Sequence, residues 1–271
     1  MTKGIAFVTG AARGIGKAIA LRLADDGFTV AVNDLPTSAK ALQDVVELIK
    51  AKGCASSSHL ADISEEEQVK AMIADVVEVH GGLDVMVANA GIVKWITLSD
   101  ISVEDWDRIM AVNCRGTFLC YKYAGLQMIE QGRGGRIIGA GSVAGKRVGS
   151  TFMSAYGVSK FAIRGLTQAA ALEFGPHNIT VNSYAPGAVI TPMLEYLDSS
   201  STEMVGSEPG TFIEFTKDWG PLHATGTPAD VASLVSFLAS EESRFITGNC
   251  LSMVACSSTE VRGRYVCNDI P

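Results

Sequence analysis

The chain has 271 residues, 47% of them hydrophobic, and a formal net charge of −7 at pH 7. That length suits one large α/β domain with ample core. Mild acidity without a basic stripe excludes nucleic acid and anionic membrane surfaces as partners. The opening Met1-Thr2-Lys3-Gly4 runs almost at once into an apolar strand, so no signal peptide is expected. Residues 174–194 contain no Asp, Glu, Lys or Arg, yet Pro176, Pro186 and Pro192 exclude a membrane helix there. The six cysteines (Cys54, Cys114, Cys120, Cys250, Cys256 and Cys267) show neither C-x-x-C nor zinc spacing, and His59, His80, His177 and His223 are scattered. No metal site is expected, and free thiols in a reducing compartment, by default the cytoplasm, fit this pattern.

The first element is an apolar run over 5–8, typical of a buried strand. It leads into Thr9-Gly10-Ala11-Ala12-Arg13-Gly14-Ile15-Gly16 and then a helical pattern with Ile15, Ile19 and Leu23 on one side. Strand, glycine turn and helix form the context a dinucleotide site requires, with backbone N–H groups and the helix N-terminus facing a pyrophosphate. The spacing is G-x-x-x-G-x-G rather than G-x-G-x-x-G, and tight-turn geometry explains such glycines almost as well. A second strand, 29–33, ends at Asp34, 18 residues after Gly16. There a carboxylate can accept from adenosine ribose hydroxyls; it can also cap or turn the chain before Pro36. If it meets a ribose, Asp34 favours NAD over NADP, because a 2′-phosphate ~5 Å away would cost roughly 3 kcal/mol per charge pair. Arg13 would offset part of that, so NADP(H) is not excluded.

Further along, helices are predicted over 38–52, 65–79, 103–129 (with a bend), 154–174 and 228–239. Strands are predicted over 83–88, 137–140 and 179–183, with a weaker one near 57–60. Alternation of this kind predicts a parallel sheet with right-handed crossovers and helices on both faces. Asp62, in Asp62-Ile63, stands where it could cap the helix that Ser64 and Glu65 begin. Tyr156 and Lys160 fall four apart within the helix 154–174, hence on one face. A neighbouring ammonium favours phenolate and brings a phenol towards working pH. Alone, the pair also describes an ordinary amphipathic helix with an exposed lysine.

Taken together, these residues resemble the short-chain dehydrogenase/reductase family, from Gly4 to about Gly248. Its T-G-x-x-x-G-x-G matches Thr9 to Gly16, its N-A-G matches Asn89-Ala90-Gly91, and its N-x-x-G matches Asn113 to Gly116. Its active-site serine matches Ser142, its Y-x-x-x-K matches Tyr156 to Lys160, and its P-G-x-V-x-T matches Pro186-Gly187-Ala188-Val189-Ile190-Thr191. The resemblance implies a single Rossmann-like, doubly wound parallel sheet of about seven strands, spanning 1–256, with a substrate loop over 187–221 and an atypical tail over 257–271.

By the same resemblance, Tyr156 is the acid/base at the substrate oxygen, and Ser142 hydrogen-bonds that oxygen. Lys160 holds the nicotinamide ribose and lowers the tyrosine's proton affinity. Asn113 keeps Lys160 in contact with solvent through its main chain and a water. Gly10, Arg13, Gly14, Ile15 and Gly16 would hold the pyrophosphate. Asp62 and Ile63 would meet the adenine, while Asn89 to Gly91 lie at a strand's C-terminal end. Pro186, Gly187, Val189 and Thr191 would orient the carboxamide. The Ser142-to-Tyr156 spacing is one residue longer than is usual in the family, implying a small insertion around 150–153. Trp95 would line the substrate pocket or merely pack.

Similarity of Thr191-Pro192-Met193, of 212–217 and of 160–168 to diacetyl/acetoin reductases and butanediol dehydrogenases implies a small ketone or diketone. Reduction of 3-oxoacyl thioesters is the rival, opposed by the acidic balance and by Asp34; a non-catalytic, cofactor-binding regulatory protein is a third reading. Where the family ends a last strand in Asp-Gly-Gly, this chain has Val254-Ala255-Cys256, and its final ten residues or so are expected to pack poorly. A homodimer or homotetramer through the helices 103–129 and 154–174 is implied.

Overall fold

The computed structural model describes residues 2–218 and 220–253. Seven strands form one parallel sheet: β1 (Ile5–Thr9), β2 (Thr29–Asp34), β3 (Ser56–Leu60), β4 (Val85–Ala88), β5 (Gly135–Ala140), β6 (Ile179–Pro186) and β7 (Cys250–Met253). Their order is β3-β2-β1-β4-β5-β6-β7. Phe7 lies opposite Ala31 on one side and Met86 on the other. β1, β4 and β6 are buried along their whole lengths, as expected of strands covered by helices on both faces.

One face packs against α1 (Gly14–Asp25), α2 (Ala39–Ala51) and α9 (Pro228–Ala239), whose Ile19, Leu23, Leu42, Val231 and Val235 meet Val8, Val32 and Val87. The other packs against α3 (Glu66–His80), α5 (Thr117–Gln131) and α6 (Ser154–Phe174), where Val69, Val76, Leu119, Ala124 and Phe174 meet Phe7, Met86 and Ile137. Alternate strand residues thus feed two cores. The chain order reverses beside β1, which is flanked by β2 and β4. In open α/β sheets ligands bind outside the strands' carboxyl ends at such a switch point.

The expected architecture is observed, with two differences. The helix predicted over 103–129 is α4 (Val103–Met110), a π-helical stretch Ala111–Gly116, and then α5. The segment 187–221, read as a long loop, contains two helices, α7 (Pro192–Val205) and α8 (Thr211–Lys217). Its Ser/Thr-rich stretch has poor helix propensity, but Asp198 supplies a tertiary anchor. This buried carboxylate accepts from the N–H groups of Gly210 (2.7 Å), Phe212 (3.0 Å) and Ile213 (3.2 Å), fastening α8's first turn to α7. The divergent positions 254–256, the tail 257–271, and Cys256 and Cys267 lie outside the described residues. Cys54, Cys114, Cys120 and Cys250 are free thiols. Among the described residues no helix is long and apolar enough to cross a membrane, and no acid, His or Cys cluster is suited to a metal.

Candidate active site

The glycine turn between β1 and α1 leaves no space for side chains where its segments meet. A Cβ on Gly16 would stand 2.2 Å from the Gly10 carbonyl oxygen and 2.6 Å from Asn89 Nδ2. Gly10 and Gly14 have φ of +63° and +56°, in the left-handed region that favours glycine. Asn89 fastens the turn to the end of β4: its Nδ2 donates to the carbonyls of Thr9 (2.8 Å) and Gly10 (3.1 Å). The Thr9 hydroxyl in return accepts from the Asn89 N–H (3.0 Å) and the Ala90 N–H (3.2 Å). Asn89 Oδ1 accepts from the Tyr184 hydroxyl (2.8 Å), deep within β6. Tyr184 escaped the sequence reading. Its signal was a phenol inside a fully buried strand, a group that requires a partner.

Asp34 closes the far side of the turn, accepting from the N–H groups of Ala12 (3.0 Å) and Leu35 (2.9 Å). The carboxylate therefore stays at the glycine loop and holds the rest of its acceptor capacity for a ligand. Asp62 accepts from the Ser64 N–H (2.9 Å), the Ser64 hydroxyl (2.7 Å) and Arg108 (3.1 Å). Burial pushes Asp62 up, but the bonds from Ser64 and Arg108 outweigh it and hold the carboxyl below its ordinary range. The Ile63 side chain backs onto Gly116, where an added Cβ would come within 2.7 Å of it.

α6 carries Tyr156 and Lys160 one turn apart, both buried. Lys160 Nζ donates to the Ala140 carbonyl at 2.8 Å and lies 5.5 Å from the centre of the Tyr156 ring. Burial lowers its pKa to about 8. Burial also raises the Tyr156 phenol, and the opposing influence is a hydrogen bond with Ser142. In the protein by itself burial is the larger influence, and the phenol lies above its ordinary value. Ser142, at the end of β5, also accepts from the Ala144 N–H (3.1 Å). Gly145 permits this turn to seat on α6, since a Cβ there would lie 2.4 Å from the Lys160 carbonyl oxygen.

Asn113 is buried in the π-helical stretch. Its amide brackets Ile92, donating to the carbonyl (2.9 Å) and accepting from the N–H (2.8 Å), and donates to Ser159 Oγ (3.0 Å). Its main-chain carbonyl, expected to hold a water, accepts from the Thr117 hydroxyl at 2.8 Å. Gly91 lies between the groups: a Cβ on it would be 3.2 Å from Asn113 Oδ1 and 3.4 Å from Lys160 Nζ. Ser159, also absent from the sequence reading, donates to the Tyr156 carbonyl at 2.7 Å and so ties the π-helical stretch to α6.

After Pro186 and Gly187, Val189 is pinned beside Gly226 by a short bridge. The Thr191 hydroxyl donates to the Val189 carbonyl (3.1 Å) and accepts from the Leu194 N–H (3.4 Å), capping α7. A Cβ on Gly14 would be 3.6 Å from the Thr191 methyl, so the glycine turn and the start of α7 adjoin. Beyond them, Trp95 stacks on Phe152 (5.1 Å between centres) and meets the edge of Phe212 (4.9 Å). These rings join Tyr156, Met153, Leu194 and Leu197 in one apolar cluster. The Ile96 N–H donates to the Phe152 carbonyl at 2.9 Å, which holds Phe152 beside Trp95.

A family model described as Enoyl-(Acyl carrier protein) reductase matches residues 10–254. A short-chain dehydrogenase/reductase of Armillaria gallica is 51% identical over 92% of this chain and 94% of its own length. A 3-oxoacyl-[acyl-carrier-protein] reductase of Staphylococcus aureus is 41% identical over 92% and 95%, and the L-2,3-butanediol dehydrogenase of Corynebacterium glutamicum 40% over 90% and 94%. Among solved structures, an NAD+-bound xylitol dehydrogenase has a TM-score of 0.87 at 32% identity, covering 93% of this chain and 98% of that one. A Burkholderia cenocepacia short chain dehydrogenase in complex with NADP has 0.82 at 36%, covering 92% and 95%. The chain belongs to the short-chain dehydrogenase/reductase family of oxidoreductases, whose fold it shares.

Proposed function

We propose that the protein interconverts a ketone and a secondary alcohol using NAD(P), with Tyr156 as acid/base at the substrate oxygen. The observation that carries this reading is Tyr156 and Lys160 buried one turn apart on α6, with Lys160 Nζ 5.5 Å from the centre of the phenol ring. In reduction Tyr156 gives its proton to the carbonyl oxygen as the carbon gains hydride; in oxidation it takes the hydroxyl proton back. Ser142 steadies the charge developing on that oxygen. The glycine cradle at Gly10, Gly14 and Gly16, beside Arg13 and Ile15, fits a pyrophosphate. Asp34 then receives the adenosine ribose, Asp62 and Ile63 the adenine, and Asn89 to Gly91 with Pro186, Gly187, Val189 and Thr191 the nicotinamide end. When bound, the cofactor supplies or accepts the hydride. Lys160, freed from Ala140, holds the nicotinamide ribose and carries the charge that makes the phenol acidic. Asn113 fixes the frame between Ile92 and α6.

NAD(H) is the favoured cofactor because Asp34 is tied to the loop that would hold the adenosine. A small ketone or diketone is supported by the likeness to the butanediol dehydrogenase and by the apolar cluster that contains Tyr156. The oxoacyl-thioester reading rests on the likeness to the bacterial reductase. Exposed Phe118, Leu126, Phe161 and Leu172 on α5 and α6 support a homodimer or homotetramer, and free thiols suit the cytoplasm. A panel of diacetyl, acetoin, an aryl ketone and an oxoacyl thioester, each with NADH and NADPH, tests the reading. Reduction of a ketone that Tyr156→Phe abolishes supports it. Tight NADH binding without turnover of any carbonyl would support the non-catalytic alternative instead.

A further inference from the structure

We infer that Trp95 determines specificity by donating its indole N–H to a second oxygen of the substrate. The ligand then bears an oxygen acceptor besides the carbonyl or carbinol that reacts. This deepens the ketone–alcohol reading and rests on it. Trp95 is 7% exposed, and its Nε1 is shielded from solvent without a hydrogen-bond partner. A buried, unpaired donor keeps the full cost of its lost hydration, and buried indole N–H groups ordinarily find acceptors. The ring is not free to turn towards one, because Phe152 lies flat against it and Phe212 meets it edge-on.

The same cluster contains Tyr156, so the residue with the unpaired N–H packs in one apolar cluster with the proposed acid/base. Every other side chain of that cluster is hydrocarbon or thioether. A hydroxyl or carbonyl oxygen set against the indole needs one neutral donor, which the N–H supplies. Leu194, Leu197 and Phe212, from α7 and α8, belong to the same cluster as the indole. A site built to pair a buried donor rejects the analogue that lacks the acceptor.

The test compares matched alcohols: 2,3-butanediol against 2-butanol, 1,2-cyclohexanediol against cyclohexanol, and 1-phenyl-1,2-propanediol against 1-phenyl-1-propanol. For each pair, the ratio of kcat/KM values is measured in the native enzyme and in Trp95→Phe; dividing one ratio by the other cancels intrinsic reactivity. We expect the preference for the diol to fall about tenfold in the variant, the worth of one buried hydrogen bond. Replacing Trp95 by β-(3-benzothienyl)alanine, which keeps the bicycle and removes only the N–H, provides the same comparison with the packing intact. A diol preference that survives either replacement overturns the inference. Absence of turnover with every alcohol and ketone by the native enzyme overturns the underlying function and the inference with it.

Discussion

Replacing Lys160 by Met should stabilise the protein while abolishing its activity. Lys160 is 5% exposed, and burial brings its titration from the ordinary 10.5 to about 8. At 1.4 kcal/mol per pH unit, that displacement corresponds to about 3 kcal/mol charged against folding. The hydrogen bond to the Ala140 carbonyl returns about 1.5–2 kcal/mol, as expected of a charged donor. Lys160→Met, of similar length and apolar, should therefore gain about 1 kcal/mol at pH 7, raising Tm by roughly 2–4 °C.

The pH dependence distinguishes this origin from better packing. The unfolded chain holds the lysine proton up to 10.5 and the folded chain only up to about 8, so between these values the unfolded state binds more protons and native stability rises with pH. The advantage of Lys160→Met should thus be full below pH 8, be used up by roughly pH 9, and turn into a deficit of about 2 kcal/mol by pH 10.5. Calorimetry on the cofactor-free protein across pH 7–10.5 checks it, with kcat measured alongside. A variant less stable than the parent at pH 7, or a gain that ignores pH, refutes the reasoning.

Asp34→Asn keeps an acceptor for the Ala12 N–H but removes the charge, and the NADPH-to-NADH ratio of kcat/KM should rise at least tenfold; an unchanged ratio would detach Asp34 from cofactor choice. Tyr184→Phe deletes the buried bond to Asn89 and should destabilise by about 1–3 kcal/mol while raising KM for the cofactor, measured by urea unfolding and steady-state kinetics. Asp198→Ala removes three backbone bonds and should speed amide exchange in α7 and α8 while leaving the strands protected, as read by hydrogen-exchange mass spectrometry. His59 and His80 flank the Ser57 hydroxyl at 2.7 Å each, and His59 also bonds Asp75. Burial holds both imidazoles below 6.5, with Asp75 partly opposing. The unfolded chain therefore takes protons first as pH falls through 6.5, and Tm should drop between pH 7 and 5, less so in His80→Gln.

What the sequence disclosed follows the range of the forces involved. α6 and α9 have the predicted bounds, and for α9 the reason is local: Thr227 and Asp230 form a capping box and Pro228 sits at the first turn. The glycine turn was legible because Gly16 admits no other side chain. The π-helical stretch 111–116 was visible only as a bend, since its wide turn is set by Asn113 reaching Ile92, a contact 21 residues away in sequence. The helices α7 and α8 were hidden because Asp198 overrides a weak local preference. Tyr184 and Ser159 become functional neighbours only once β6 and α6 are set beside β4 and the π-helical stretch.

The π-helical stretch between α4 and α5 sets a rule for how this enzyme can change. An α-helix advances about 100° per residue, so deleting one residue from the regular turns that flank 111–116 would turn everything on one side of the deletion by about a quarter of a circle. Asn113 would leave Ile92 and Ser159, and the outward surface of α5 would rotate away from any second subunit seated on it. Point substitutions along the outer surface of this rod leave its phasing intact; a change of length does not. The candidate site and the exposed apolar surface of α5 are thus geared to one shaft, and a change of helix length here would disturb both at once.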